Sequence, residues 1–149
     1  MRRTPWAIVA LALALACSKK QEGSGSAGAT NEGAIKIGEV GSMTGTEATF
    51  GISSDRGIQL RVKEVNAAGG VKGKQIQVIA LDDQGKPEEA ATAATRLISS
   101  EHVVAILGEV ASTRSMFMAD KAQPAKVPMV SPSSTNPRVT EKGDYIFRA

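Results

Sequence analysis

Apolar positions along this chain follow two rhythms. Short stretches at Ile35–Val40 (IKIGEV), Gln75–Leu81 (QIQVIAL), Val103–Leu107 (VVAIL), Val127–Val130 (VPMV) and Tyr145–Arg148 alternate or run continuously apolar. Runs of that length predict β-strands. Between them the period lengthens to that of a helix. Over Gly51–Asn66, the residues Ile58, Val62 and Val65 share one face, Ser53 or Ser54 offers a cap, and Asp55 falls in the first turn. Ala67-Ala68-Gly69-Gly70 stops that helix, because glycine takes the left-handed conformation a helix end favours. A second helix opens at Pro87 with Glu88 and Glu89 near its positive end, and buries Ala90, Ala91, Ala94, Leu97 and Ile98. A third, Thr113–Gln123, is moderately amphipathic and is ended by Pro124. Strands alternating with helices predict parallel βαβ units in a sheet covered on both faces, the α/β class.

In such sheets ligands bind outside the carboxyl ends of the strands. Three polar loops follow strand ends: Gly41–Phe50 (GSMTGTEATF), Gly108–Ser115 (GEVASTRS) and Ser131–Pro137 (SPSSTNP). They predict one shared cleft. Ser112 and Thr113 open a helix, whose free N–H groups and dipole attract a carboxylate. Ser133, Ser134 and Thr135 add hydroxyls and backbone donors. Three or four hydrogen bonds to a charged group, at about 1.5–3 kcal/mol each, would orient a carboxylate without a buried arginine. The same residues also fit plainer roles, with Ser112 as an N-cap and SPSSTNP as a Pro/Asn turn, and spacing alone does not separate the two.

The amino-terminal stretch changes the setting. Met1-Arg2-Arg3 is a basic head, and Trp6–Ala16 has the length of a signal-peptide core, whereas a membrane span needs about 20 apolar residues. Ala14-Leu15-Ala16 fits an A-x-A cleavage site before Cys17. This boundary resembles a bacterial lipoprotein signal, which implies lipidation of Cys17 and a membrane anchor. Residues 18–33 (SKKQEGSGSAGATNEG) read as a flexible tether of small and polar residues. Residues 1–16 are thus expected to be a signal peptide, 17–33 the anchor cysteine and linker, and 34–149 one domain.

Charge removes several function classes. The net charge of +3 falls to +1 once Arg2 and Arg3 leave with the signal, and aromatics are only 3% of the chain, so no nucleic-acid partner is expected. The glycines at Gly38, Gly41 and Gly45 do not spell G-x-G-x-x-G, and no Gly-Lys-Ser/Thr follows, which argues against a nucleotide. Asp82 and Asp83 have no His or Cys nearby and read as a strand end that caps the next loop; no metal is expected. His102 precedes a strand, on the edge opposite the cleft, and so cannot serve Ser112 as a base. Met116 and Met118 read as helix packing. No catalytic set and no cofactor site emerge.

Three segments then occur in one order: Asn66–Gly73 (NAAGGVKG), Asp82-Asp83, and Ser131–Pro137 (SPSSTNP). Together they resemble the branched-chain amino-acid substrate-binding proteins of ABC transporters, with the type I periplasmic-binding fold. The resemblance runs from about Ile35 to the end. It implies that Ser112, Thr135 and the backbone around Ser133 grip the ligand's α-carboxylate and α-ammonium. It also implies that Phe50 packs over the ligand and that Val110 and Ala111 line the pocket. Such proteins have two lobes that close on the ligand, so this chain is expected to be the amino-terminal lobe, with the second lobe missing after Ala149. The implied function is an extracytoplasmic lipoprotein, periplasmic or at the cell surface, that captures an amino acid for an ABC permease. A sensor of the same fold that signals instead of transporting is the alternative.

Overall fold

A computed structural model describes residues 33–149. The basic head, the apolar run, Cys17 and the linker up to residue 32 lie outside the described residues. The elements follow one another as β1 (Ile35–Gly41), α1 (Ala48–Ala67), β2 (Ile76–Asp82), α2 (Pro87–Ser99), β3 (Ala105–Leu107), α3 (Ser112–Ala125), β4 (Met129–Ser131), a short 3-10 helix (Pro137–Lys142) and β5 (Ile146–Arg148). All strand pairs are parallel, in the order β2-β1-β3-β4-β5. The alternating pattern therefore forms the doubly wound α/β sheet expected of it.

The two faces of the sheet are covered unequally. A side chain at Gly38 would meet Leu97 of α2, whereas one at Gly41, on the opposite side of the strand, would lie against Gly51 of α1. On the α2–α3 side the in-register residues Ile106, Met129 and Ile146 form a row, all buried. Leu97, Met118, Ala119 and Ala122 close over that row and supply the core. On the other side α1 packs against β1 and β2, and the row Leu107, Val130 and Phe147 is left half-buried to exposed.

Local boundaries depart from the sequence pattern where packing outweighs propensity. The first helix begins at Ala48, not Gly51, and Ser53, Ser54 and Asp55 lie beyond its first turn, so none of them caps it or meets its positive end. Glu47 stands at its N-cap without a side-chain cap bond. Gly51 belongs inside the helix because α1 approaches the backbone of Ser42 so closely that a Cβ there would lie 2.1 Å from Ser42 O. The far end matches expectation, with Gly69 and Gly70 at φ of 101° and 76°. Asn66 then ties helix to sheet. Its amide donates to Ile76 O and accepts from Ile76 N, each at 2.8 Å, as a neighbouring strand would.

Pro87 opens α2 as expected. The third helix starts at Ser112 rather than Thr113 and carries Pro124 inside its last turn. The 3-10 helix is an element the apolar pattern does not announce; Asn136 caps it by accepting from Arg138 N at 3.0 Å.

Candidate functional site

From β1 the chain crosses to β2 on one side and returns to β3 on the other. The strand order therefore reverses between β1 and β3, which is where an open α/β sheet leaves a crevice. The loops after β1, β3 and β4 leave the carboxyl edge there, as the strand–helix alternation predicts.

Asp82 and Asp83, at the end of β2, clasp the loop after β1 and their own loop. Asp82 accepts from Met43 N and Gln84 N at 2.8 Å and from Thr44 Oγ1 at 2.6 Å. Desolvation tends to raise its pKa, but the hydrogen bonds from Thr44, Gln84 and Met43 outweigh it and lower the pKa below the ordinary value. Asp83 is fully buried and accepts from Ser42 Oγ and Gly85 N at 2.8 Å.

The loop SPSSTNP divides its hydroxyls between two tasks. Ser131 and Ser134 are buried, and with Ser115 they converge on the carbonyl of Glu109. Ser131 Oγ donates to that carbonyl at 2.6 Å and accepts from Ser134 N at 3.0 Å. Ser133 and Thr135 are exposed, and Ser133 Oγ donates to Val110 O at 3.4 Å. Arg148 of β5 holds the loop from behind, donating to Ser134 O at 3.2 Å and Thr135 O at 3.1 Å.

Ser112 is not an N-cap; that position belongs to Ala111, with no side-chain cap bond. Its Oγ accepts from Asn136 N at 3.1 Å, which stitches the loop after β4 to the start of α3. A hydroxyl whose lone pair is engaged keeps its proton to donate. The first-turn amides of Ser112, Thr113 and Arg114 precede the first intrahelical bond, Ser115 N to Ala111 O at 3.0 Å. Val110, Ala111 and Ser112 are half-buried. Phe50, across from them on the first turn of α1, is 67% exposed. Of the residues expected to hold ligand, Ser112, Ser133, Thr135, Val110 and Ala111 lie on two stitched loops, with Phe50 on the third segment of the same edge.

The edge is an open wall. A groove of about 470 Å³ beside Met116, Phe117 and Arg138 lies on the outer helical layer, and none of the three loops lines it. His102 is exposed, before β3 and hence on the opposite edge. Among the described residues no group of His, Cys, Asp or Glu is arranged to hold a metal, and no helix is long and apolar enough to cross a membrane.

Beneath the wall lies a charged cluster that sequence reasoning misses. Arg114 is 7% exposed. Its Nε is 3.1 Å from Glu109 Oε2 and 3.7 Å from Asp83 Oδ2, Nη1 donates to Gly85 O at 3.3 Å, and Nη2 donates to Glu47. Burial works against the charge, but the bonds to Glu47 and Glu109 outweigh it and raise the arginine's pKa further. A buried arginine is therefore present, yet it is committed to carboxylates. Only the Glu109–Arg114 part of the cluster is local in sequence, and its spacing marks no helix face.

A parallel sheet in this order, with its loops gathered at the switch point, defines one lobe of the type I binding-protein class. The chain belongs to the periplasmic binding protein family, whose profile matches residues 34–149. It is 34% identical over 109 residues to an amino acid binding protein of Pseudomonas aeruginosa, a match covering 73% of this chain and 29% of that one. The branched-chain amino acid transporter substrate binding protein of Streptococcus pneumoniae, solved with isoleucine, matches 77% of this chain and 33% of its own, with a TM-score of 0.75 and 38% identity. A solute binding protein of an ABC transporter from Rhodopseudomonas palustris, solved with 3,4-dihydroxybenzoic acid, matches 77% of this chain and 31% of its own, with a TM-score of 0.72 and 32% identity. This chain spans about a third of the length of these relatives.

Proposed function

We propose that this lobe forms one wall of an amino-acid site in an extracytoplasmic binding protein that delivers a branched-chain amino acid to an ABC permease. The observation that carries the reading is the hydroxyl of Ser112. It accepts from Asn136 N, so its proton is left to donate, beside first-turn amides that also only donate. A wall of donors at a helix N-terminus suits a carboxylate. Thr135 and the backbone around Ser133 extend it, while Phe50, Val110 and Ala111 offer apolar surface to the side chain. The ligand binds this wall first, and a second lobe then closes over it and supplies partners for the ammonium. Residues 34–149 are the amino-terminal lobe in this reading, and no step in it requires catalysis. Attachment to the membrane through a lipid on Cys17, after removal of residues 1–16, belongs to the same proposal.

The test is calorimetric titration of the two-lobed protein with L-amino acids, simple amides and aromatic acids. Leucine, isoleucine or valine should bind at micromolar or tighter concentrations. Ser112→Ala and Thr135→Ala should each cost about 1–3 kcal/mol of affinity, by leaving a buried carboxylate oxygen unpaired. Unchanged affinity in both variants removes the site assignment, and tighter binding of aromatic acids than of any amino acid removes the ligand class.

A further inference from the structure

Arg114 joins segments that the chain keeps far apart. Glu47 closes the loop after β1, Asp83 and Gly85 belong to the loop after β2, and Glu109 leaves β3. A single guanidinium reaches all three. Arg114 is also in the first turn of α3, two residues from Ser112, and Glu47 is three residues from Phe50. The planar fork of an arginine fixes directions as well as distances. Asp83 and Glu109 are fully buried, whereas the side chain of Glu47 is 48% exposed. The Glu47, Asp83 and Gly85 arms all cross the crevice between β1 and β3, and the Glu47 arm is the one that water reaches.

We propose that Arg114 is a positioning residue which, through Glu47, sets the distance between the Phe50 wall and the Ser112 wall of the cleft, so that the ligand meets a preformed grip. The inference rests on the functional reading above. It assigns Arg114 no contact with ligand. If the correctly spaced arrangement falls to a tenth of the population, apparent affinity falls about tenfold although every ligand contact remains intact.

The decisive variant is Glu47→Ala, which removes the exposed arm and leaves the buried pairs in place. Arg114→Lys keeps the charge but cannot reach three loops at once. Hydrogen–deuterium exchange of the ligand-free full-length protein reads the spacing directly. In both variants, exchange should quicken at residues 43–50 and also at 110–114 across the crevice, with β5 unchanged. Leucine affinity in the two-lobed protein should fall about tenfold for Glu47→Ala. Quickened exchange confined to 43–50, or unchanged leucine affinity, overturns the proposal. If wild-type protein binds no ligand on the panel, the functional reading fails on its own, and the exchange pattern still decides whether Arg114 couples the two walls.

Discussion

Glu39 offers a sharp physical test of the structure. It lies in β1 between Ala80 and Leu107 on the neighbouring strands, is 1% exposed, and leaves Oε2 without a hydrogen-bond partner. Burial disfavours its charged form, and the charge and hydrogen bond of Asp55 on α1 push the same way, raising its pKa from 4.5 to about 7. The folded state therefore holds a proton that the unfolded chain gives up at lower pH. Stability from this group is fully present below about pH 4.5 and is lost as pH rises through about 7. A shift of that size corresponds to about 3 kcal/mol. Glu39→Gln has no proton to lose. Urea unfolding of wild type and variant across pH 4.5 to 8 should give similar stabilities at the acid end, with the variant ahead by up to about 3 kcal/mol at the alkaline end. The difference between the two curves isolates Glu39, because every other carboxylate is common to both proteins. Curves that stay parallel between about pH 5 and 7.5 would refute the placement of this carboxyl in a buried, unpaired site beside Asp55.

Two further outcomes follow from packing. Gly51→Ala should cost about 2–3 kcal/mol in a urea melt, since its Cβ would overlap the backbone of Ser42; an unchanged midpoint would mean that α1 does not approach that loop. Ser131→Ala should cost about 1–3 kcal/mol of stability by leaving buried Ser134 N unpaired, although Ser115 still donates to Glu109 O. Ser133→Ala, two residues on but exposed, should change stability by less than about 0.5 kcal/mol. Equal stability losses for the two serines would contradict the division of the loop into a buried and an exposed set.

How much of this is legible in the sequence depends on the range of the interaction concerned. Strand runs such as IKIGEV and the stripe Ala90, Ala94, Leu97 announce themselves because burial repeats at a local period. The start of α1 is misplaced because glycine usually breaks helices, and nothing local reveals that Gly51 is there to let Ser42 close. The residue types of SPSSTNP are visible as polar, but which serines face inward depends on Glu109, more than twenty residues earlier. The Arg114 cluster is harder still, since its members come from loops that only the strand order brings together. The loops and their residue types are local and show in the sequence; the scaffold beneath them is built from contacts between distant segments.

The strand order also dictates a sequence of events for a chain that emerges amino end first. Among the described residues β1 is the first strand made, yet it occupies an interior place in the sheet. One of its edges waits for Ile76 and the other for Ala105. For about seventy residues of elongation or translocation, then, a strand destined for the interior has an unclaimed rim able to pair with any passing backbone. The crevice between β1 and β3 is accordingly the last place on that strand to acquire its shape. That rim stays open until Leu107 has arrived to pair with Glu39.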